Sequence, residues 1–291
     1  MEWFQAVVLG ILQGLTEFLP ISSSAHLRIY PELFGWEDPG AAFTAVIQIG
    51  TEAAIIAYLA KDIGRIIEAW ARSLANLDAL RSHELVRAGG AHRVEKTWDP
   101  QDARLGWYVI AGSVPIVVLG ITLKDVIETD FRSLWIVGTT LVVLGLVLGL
   151  ADRVGRRDRT LRSLNLRHAI LLGLAQACAL IPGVSRSGAT ISMALFLGYD
   201  RAAAARFAFL LAIPAVLGAG IFEWPSAIAE GAEYGLGPIL LATAVSFVVG
   251  YAVVAWLFRW LQTRTYAPFV IYRVALGLLT LGLLAGGVLT A

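Results

Sequence analysis

Two stretches of an otherwise apolar chain carry polar residues at spacings that could do chemistry. The first runs from Gln13 to His26, Gln-Gly-Leu-Thr-Glu-Phe-Leu-Pro-Ile-Ser-Ser-Ser-Ala-His, and it has a partial echo at Gln176 to Thr190. A glutamate, a run of serines and a histidine cost free energy in such surroundings, so by default they mark a functional site. Gln13 and Glu17 are four residues apart and share one face of a helix. Pro20 stops that helix, and Ser22, Ser23 or Ser24 can cap the next. A helix N-terminus facing a cavity offers free N–H groups and partial positive charge, which suits a phosphate. His26 lies three residues after Ser23 and four after Ser22, so on the same turn it could take the proton of a serine hydroxyl. The blander readings are serines that only cap and a histidine satisfied in the core.

The second stretch reads Pro182-Gly-Val-Ser-Arg-Ser-Gly-Ala-Thr190. Arg186 beside a helix break needs an anionic partner. Its planar fork suits phosphate oxygens, and the alternative is a structural salt bridge to Glu17 or Glu52. Ser185, Ser187 and Thr190 add donors, while Gly183 and Gly188 let backbone approach a ligand closely. Gln48 and Glu52 are again four apart and could extend the polar cavity. Arg273 falls near the start of the last apolar run and is expected to snorkel to the membrane interface. One carboxylate, a serine–histidine set and an arginine among loop N–H groups suggest phosphoryl chemistry on a lipid head group. Glu17 could hold a Mg²⁺ or Ca²⁺ ion shared with substrate oxygens.

The elements that must carry these residues are membrane helices. Of 291 residues 57% are hydrophobic and only 15% charged, and the mean hydropathy is +0.71. Apolar runs near 20 residues long, without strand-like alternation, exclude a β-barrel. Nothing supports nucleic-acid binding. Cys178 stands alone, so no intrachain disulfide or metal-ligand pattern exists, and it is expected to be a small buried residue. The N-terminus lacks the basic start of a cleaved signal peptide, and residue 1 is expected to belong to the mature protein. An all-α integral membrane fold follows, with six full spans at about 41–60, 105–123, 133–151, 204–223, 236–258 and 268–290. The stretches 2–30 and 168–199 are broken, at Pro20 and at Pro182-Gly183, and read as re-entrant helical hairpins.

Most of the 23 Lys and Arg lie in 61–104 and 152–167, with Arg201, Arg206, Arg259 and Arg264 beside spans. These sides are expected to be cytoplasmic, and the connections 31–40 and 224–235, which have none, to face outside. Threading the spans through these constraints gives one polytopic domain of two inverted-topology repeats, 1–151 and 152–291. The local match pairs Gln13 with Gln176 and Pro20 and Ser23 with Pro182 and Ser185, with one residue slipped between. Such repeats place a binding site near the midplane. The insertion 61–104 begins with an amphipathic stretch, Ile66 to Leu85, lying along the membrane surface. His83 and His92 within it read as solvated loop residues. Trp98, Trp107, Trp135 and Trp224 sit near span ends as an interfacial belt.

At these residues the sequence resembles the undecaprenyl-diphosphate phosphatase family of bacterial membrane enzymes, also known as bacitracin-resistance proteins. Gln13-x-x-x-Glu17 fits the family's Glu/Gln-x-x-x-Glu motif, and Pro182-Gly-x-Ser-Arg-Ser-x-x-Thr190 fits its second motif. Ser22, Ser23 and His26 match the set between them. Similarity extends through Phe207–Pro214 and Pro268–Arg273, covering most of the chain outside 61–104. The resemblance implies removal of the terminal phosphate of undecaprenyl diphosphate, which recycles the carrier for peptidoglycan synthesis. It also implies a divalent cation, a plasma (inner) membrane location and a site opening to the periplasmic or extracellular side. Gln13 stands where many relatives have Glu and is a poorer metal ligand, so metal contact falls chiefly to Glu17. In this reading Ser23 attacks the distal phosphorus with His26 as base, or His26 attacks and a serine orients the phosphate. Arg186 and backbone N–H groups neutralise charge, with Ser22, Gly183, Ser185, Ser187 and Thr190 around the phosphate. Direct attack by water is a third route. The alternative function, from the inverted repeats alone, is a polyprenyl-phosphate flippase or secondary transporter. An oligomer is compatible with all of these.

Overall fold

A computed structural model describes residues 2–75, 98–123 and 133–289, without the side chains of 41, 42 and 221–234. Helix α1 (Trp3–Thr16) starts where the Gln5 side chain accepts from the Glu2 N–H at 2.9 Å. After the break, α2 (Ser23–Phe34) runs until Gly35, whose left-handed φ of 64° ends it. Helices α3 (Gly40–Tyr58) and α4 (Ala60–Leu74) meet at a 78° bend. Asp99 caps α5 (Pro100–Thr122), with Pro100 at the first helical position, and Ser133 caps α6 (Leu134–Val154). Asn165 caps α7 (Leu166–Ala177), which closes in a 3₁₀ turn at Cys178–Leu180. The second break leads into α8 (Arg186–Phe196), followed by α9 (Arg201–Tyr234), α10 (Leu236–Leu261) and α11 (Ala267–Ala285).

Five helices are long and apolar enough to cross a bilayer: α5, α6, α9 through Gly220, α10 and α11. The bent α3–α4 pair brings the number to six if it counts as one span. The six expected spans fall on α3, α5, α6, α9, α10 and α11. Helices α1 and α7 are apolar but short. Two boundaries differ from expectation. The connection 224–235 is helical through Tyr234, because α9 continues unbroken past the expected end of the span at 223. The surface helix begins at Ala60, directly after the bend; its continuation past 75, with His83 and His92, lies outside the described residues, as does the Trp224 side chain. Among the described residues there is no sheet, only a bridge between Arg159 and Tyr199.

Lipid tails are as apolar as leucine, so membrane helices gain from close backbone approach, not from hiding apolar surface. Small residues line the contacts accordingly. A Cβ at Gly10 would sit 2.6 Å from the Ala242 carbonyl of α10, and one at Gly173 would sit 2.0 Å from the Gly112 carbonyl of α5. Helix α10 packs between α1 and α3, α11 lies along α6, and α8 is enclosed by α6, α7 and α9. At the basic end, side-chain pairs tie the bundle. Arg201 donates to Asp152 at 2.6 Å, while the other Asp152 oxygen accepts from the Tyr266 N–H at 3.0 Å. Arg206 pairs with Asp62, and Arg65 donates to Asp102 at 2.7 Å. Trp107 donates to Ser73 at 3.2 Å, anchoring α5 to α4. Cys178 is exposed, contrary to the expectation of a buried residue, because it opens a 3₁₀ turn none of whose residues is buried.

Candidate active site

Glu17 is the residue immediately after α1, and it is buried. Its carboxylate accepts from four side chains. Oε1 takes Gln48 Nε2 at 2.9 Å and the Arg186 guanidinium; Oε2 takes Gln13 Nε2 at 2.9 Å and Ser23 Oγ at 2.7 Å. A carboxylate has about four lone-pair sites, so this one is saturated. The helical spacing that puts Gln13 beside Glu17 does so as expected, while Gln48 arrives from α3 and Arg186 from the first turn of α8.

Both helix breaks are built the same way. Ser22 and Ser185 each hold a positive φ, 74° and 65°, which non-glycine residues rarely adopt and which recurs at functional sites. Each caps its helix: Ser22 Oγ accepts from the Ala25 N–H and Ser185 Oγ from the Gly188 N–H. Each also lies beside the serine two residues after it, Ser24 at 3.1 Å and Ser187 at 3.2 Å. Gln13 and Gln176, both fully buried, precede these caps by the same number of residues. The structural counterpart of Ser185 is therefore Ser22 and not Ser23, and the one-residue slip disappears. The two breaks meet where the Gly183 N–H donates to Ser24 Oγ at 3.3 Å. Gly183 is required there. Its φ is +87°, and a Cβ would fall 2.1 Å from Thr140 Oγ1.

The serine–histidine pair expected from spacing does not form. His26 Nδ1 lies 2.7 Å from the Ser22 carbonyl and Nε2 lies 2.8 Å from the Tyr272 hydroxyl, with the two rings stacked. Both ring nitrogens are thus engaged away from Ser23, whose hydroxyl faces Glu17. Thr190 is fully buried and donates to the Arg186 carbonyl at 2.9 Å, a bond within α8. Ser187 reaches back to the Glu17 and Leu19 carbonyls at 3.5 and 3.4 Å.

Arg273 overturns the expectation of snorkelling. It is fully buried, and its guanidinium donates to the carbonyls of Pro20 at 3.3 Å, Gly183 at 2.7 Å and Val184 at 2.6 Å, and to Leu141 and Thr140 of α6. Backbone at a helix break leaves carbonyls without partners, and this one side chain satisfies them at both breaks. Among the described residues it has no carboxylate partner.

A cavity of about 450 Å³ opens over this set. Glu17, Ser22, Ser23, Ser24, Gln48, Ser185 and Arg186 line one end, and apolar residues of α5 and α9 line the other. A second cavity of about 10 Å³, room for one water-sized group, adjoins Glu17, Glu52, Arg186 and Ser187. Glu52 is 2% exposed, and among the described residues its Oε1 has no hydrogen-bond partner, like Oε1 of Gln13. Among the described residues no three His, Cys, Asp or Glu side chains group as a complete metal site. The oxygens of Glu17, Gln13 and Glu52 fit a hard divalent cation only if it draws further ligands from substrate.

The family model described as bacitracin resistance protein BacA matches residues 6–279. An undecaprenyl-diphosphatase of Nocardioides sp. is 63% identical over the full length of both chains. Undecaprenyl-diphosphatase 2 of Frankia casuarinae is 54% identical and that of Streptomyces avermitilis 51%, each over all of this chain and 97% of the relative. With the two motifs folded into one polar cluster inside a multi-pass membrane bundle, the chain belongs to the BacA bacitracin-resistance family.

Proposed function

We infer that the protein dephosphorylates undecaprenyl diphosphate to undecaprenyl phosphate and inorganic phosphate, returning the lipid carrier to cell-wall synthesis. The observation that carries this reading is the single cavity that joins the Glu17–Ser23–Arg186 cluster to an apolar end, in a chain 63% identical to an undecaprenyl-diphosphatase. A diphosphate on an isoprenoid has the same division into polar and apolar parts.

The nucleophile in our reading is Ser23, supported by the 2.7 Å bond from its hydroxyl to Glu17. Glu17 takes the proton as Ser23 Oγ bonds to the distal phosphorus. The bond to the bridging oxygen breaks, and undecaprenyl phosphate leaves with the electron pair. Water then attacks the phosphoserine, the serine oxygen recovers its proton from Glu17, and the water proton departs with inorganic phosphate. Arg186 exchanges Glu17 for phosphoryl oxygens and, with the first N–H groups of α8, neutralises the charge that spreads over them. His26 holds the Ser22 cap and carries no proton of the reaction. A Mg²⁺ or Ca²⁺ ion bound by Glu17, with Gln13 and Glu52, would supply further charge neutralisation at the phosphate.

We also propose six spans plus two re-entrant hairpins, in inverted repeats over 1–151 and 152–291. The matched left-handed serine caps and the equal Gln-to-Ser separations support this. With the arginine-rich 61–104 and 152–167 in the cytoplasm, the cavity, lined by the early part of α3 and the late part of α5, opens outward.

Purified protein in lipid vesicles should release phosphate from undecaprenyl diphosphate without any ion gradient, and should lose that activity in chelator. Brief incubation with distally labelled substrate should leave label on Ser23. Label on His26 would reverse the assignment, and no label at all would point to direct attack by water.

A further inference from the structure

A cavity of about 490 Å³, as large as the one over Glu17, lies at the other ends of α5 and α9. The first is lined by 116–121 of α5 and 215–219 of α9, and this one by 101–108 and 202–210. About 20 Å of helix separates them. The remaining walls are α4 and a 3₁₀ turn at Leu161–Ser163. Arg65, Asp99 and Arg162 are the exposed members of the lining, so the mouth opens between α4, the start of α5 and that turn. Helix α4 leaves Ile67 and Leu74 exposed, as a helix lying in the headgroup layer does, and the mouth stands at that level.

Four aspartates and four arginines line this cavity. All four carboxylates already have protein donors. Asp62 takes Arg65 at 3.1 Å and Arg206, and Asp102 takes Arg65 at 2.7 Å. Asp99 and Asp200 cap α5 and α9, accepting from the Gln101 and Ala203 N–H groups at 2.8 and 2.7 Å. Two polar groups stand apart. Among the described residues Arg162 makes no hydrogen bond or ion pair, and the buried Oε1 of Gln101 has no donor. Between them lies an apolar floor of Leu105, Leu164 and Leu210, all buried. The formal charges of the eight groups cancel, while the N-termini of α5 and α9 add about +0.5 each. The field therefore favours an anion of single charge.

We propose that this cavity binds the headgroup of an anionic phospholipid, with the phosphodiester on Arg162 and a headgroup hydroxyl donating to Gln101. Phosphatidylglycerol carries both groups. The planar guanidinium matches the two free oxygens of a phosphodiester, whose single charge is the one the cavity favours; a phosphomonoester brings nearly two. Basic pockets between membrane helices hold such headgroups by the same chemistry. A lipid seated here joins α4 and the 3₁₀ turn to α5 and α9, and, because it binds only the folded bundle, it stabilises that bundle. The site does not depend on the phosphatase reading.

The test takes the full-length protein in detergent and three probes: short-chain phosphatidylglycerol, short-chain phosphatidylcholine and the deacylated headgroup glycerophosphoglycerol. Equilibrium binding and the thermal unfolding midpoint are read for each. Phosphatidylglycerol should saturate one site and raise the midpoint by about 5 °C at a hundred times its Kd. Phosphatidylcholine, which has the phosphodiester but no hydroxyl, should bind about tenfold more weakly. Arg162→Gln should weaken phosphatidylglycerol by about tenfold or more, with the lipid-free midpoint unchanged because this side chain is exposed. Gln101→Leu should abolish the preference for phosphatidylglycerol over phosphatidylcholine. Arg167→Gln, at an exposed arginine outside the lining, should bind as wild type. The proposal is overturned if no probe binds, if Arg162→Gln binds phosphatidylglycerol as tightly as wild type, or if Arg167→Gln weakens it equally, which would mean a diffuse basic surface. Binding of glycerophosphoglycerol as tight as that of the lipid would overturn the bilayer as the source of the ligand.

Discussion

Glu17 accepts four hydrogen bonds, and Ser23 supplies the one that a nucleophile would need. Replacing Glu17 by Gln should lower kcat by about 10²–10⁴, the usual contribution of a positioned base, measured as phosphate release in vesicles. His26→Asn should lower kcat less and leave the shape of the pH–rate profile intact; disappearance of one limb would return the base to His26. The grouping of Glu17, Ser23 and Arg186 was legible in the sequence because each is a polar residue in an apolar run, where its cost demands a reason. The partners of His26 were not. A separation of three residues brings side chains near each other on a regular helix, but the left-handed Ser22 cap turns Ser23 toward α1 and leaves His26 against Tyr272, 246 residues away. No local pattern announces a partner at that distance.

The two helix breaks are held by each other and by α11. Arg273 from that helix donates to carbonyls at both, Pro20 on one side and Gly183 and Val184 on the other. Arg273→Met orphans these acceptors and should cost about 2–4 kcal/mol, read as a lower unfolding midpoint in detergent, together with loss of phosphatase activity. Arg273→Lys keeps the charge and some donors and should recover part of both. Gly183→Ala combines a positive φ with a clash against Thr140, and should cost about 1–3 kcal/mol by the same measurement. Sequence located the breaks through Pro20, Pro182 and the serines, and it suggested that they are related. Their register escaped it, since aligning prolines forces a slip that aligning the cap serines removes. Arg273 was misjudged because position along a span gives depth, whereas the vacant carbonyls that bury it belong to other segments.

At the level of the whole bundle, hydropathy alone located six apolar stretches, and each falls on a helix. The boundaries it mistook are two: α9 continues past 223 to Tyr234, and the surface helix α4 begins at Ala60, directly after the 78° bend from α3, and not at Ile66. Orientation can be tested with the single native cysteine removed. In Cys178→Ser protein, a cysteine at Ser163 should react with an impermeant reagent only from the cytoplasmic side, and one at Glu37 only from outside; the reverse pattern would invert the proposed topology. One feature of the resting site bears on how such an enzyme survives in a lipid bilayer. Arg186 is already neutralised by Glu17, so an arriving phosphate competes against a built-in anion. The phosphodiester of an ordinary phospholipid brings a single charge. A terminal phosphate brings about −1.5 to −2 at neutral pH. With Arg186 binding phosphate as proposed, the carboxylate would set a threshold that favours a terminal phosphate over the diester of an abundant membrane lipid.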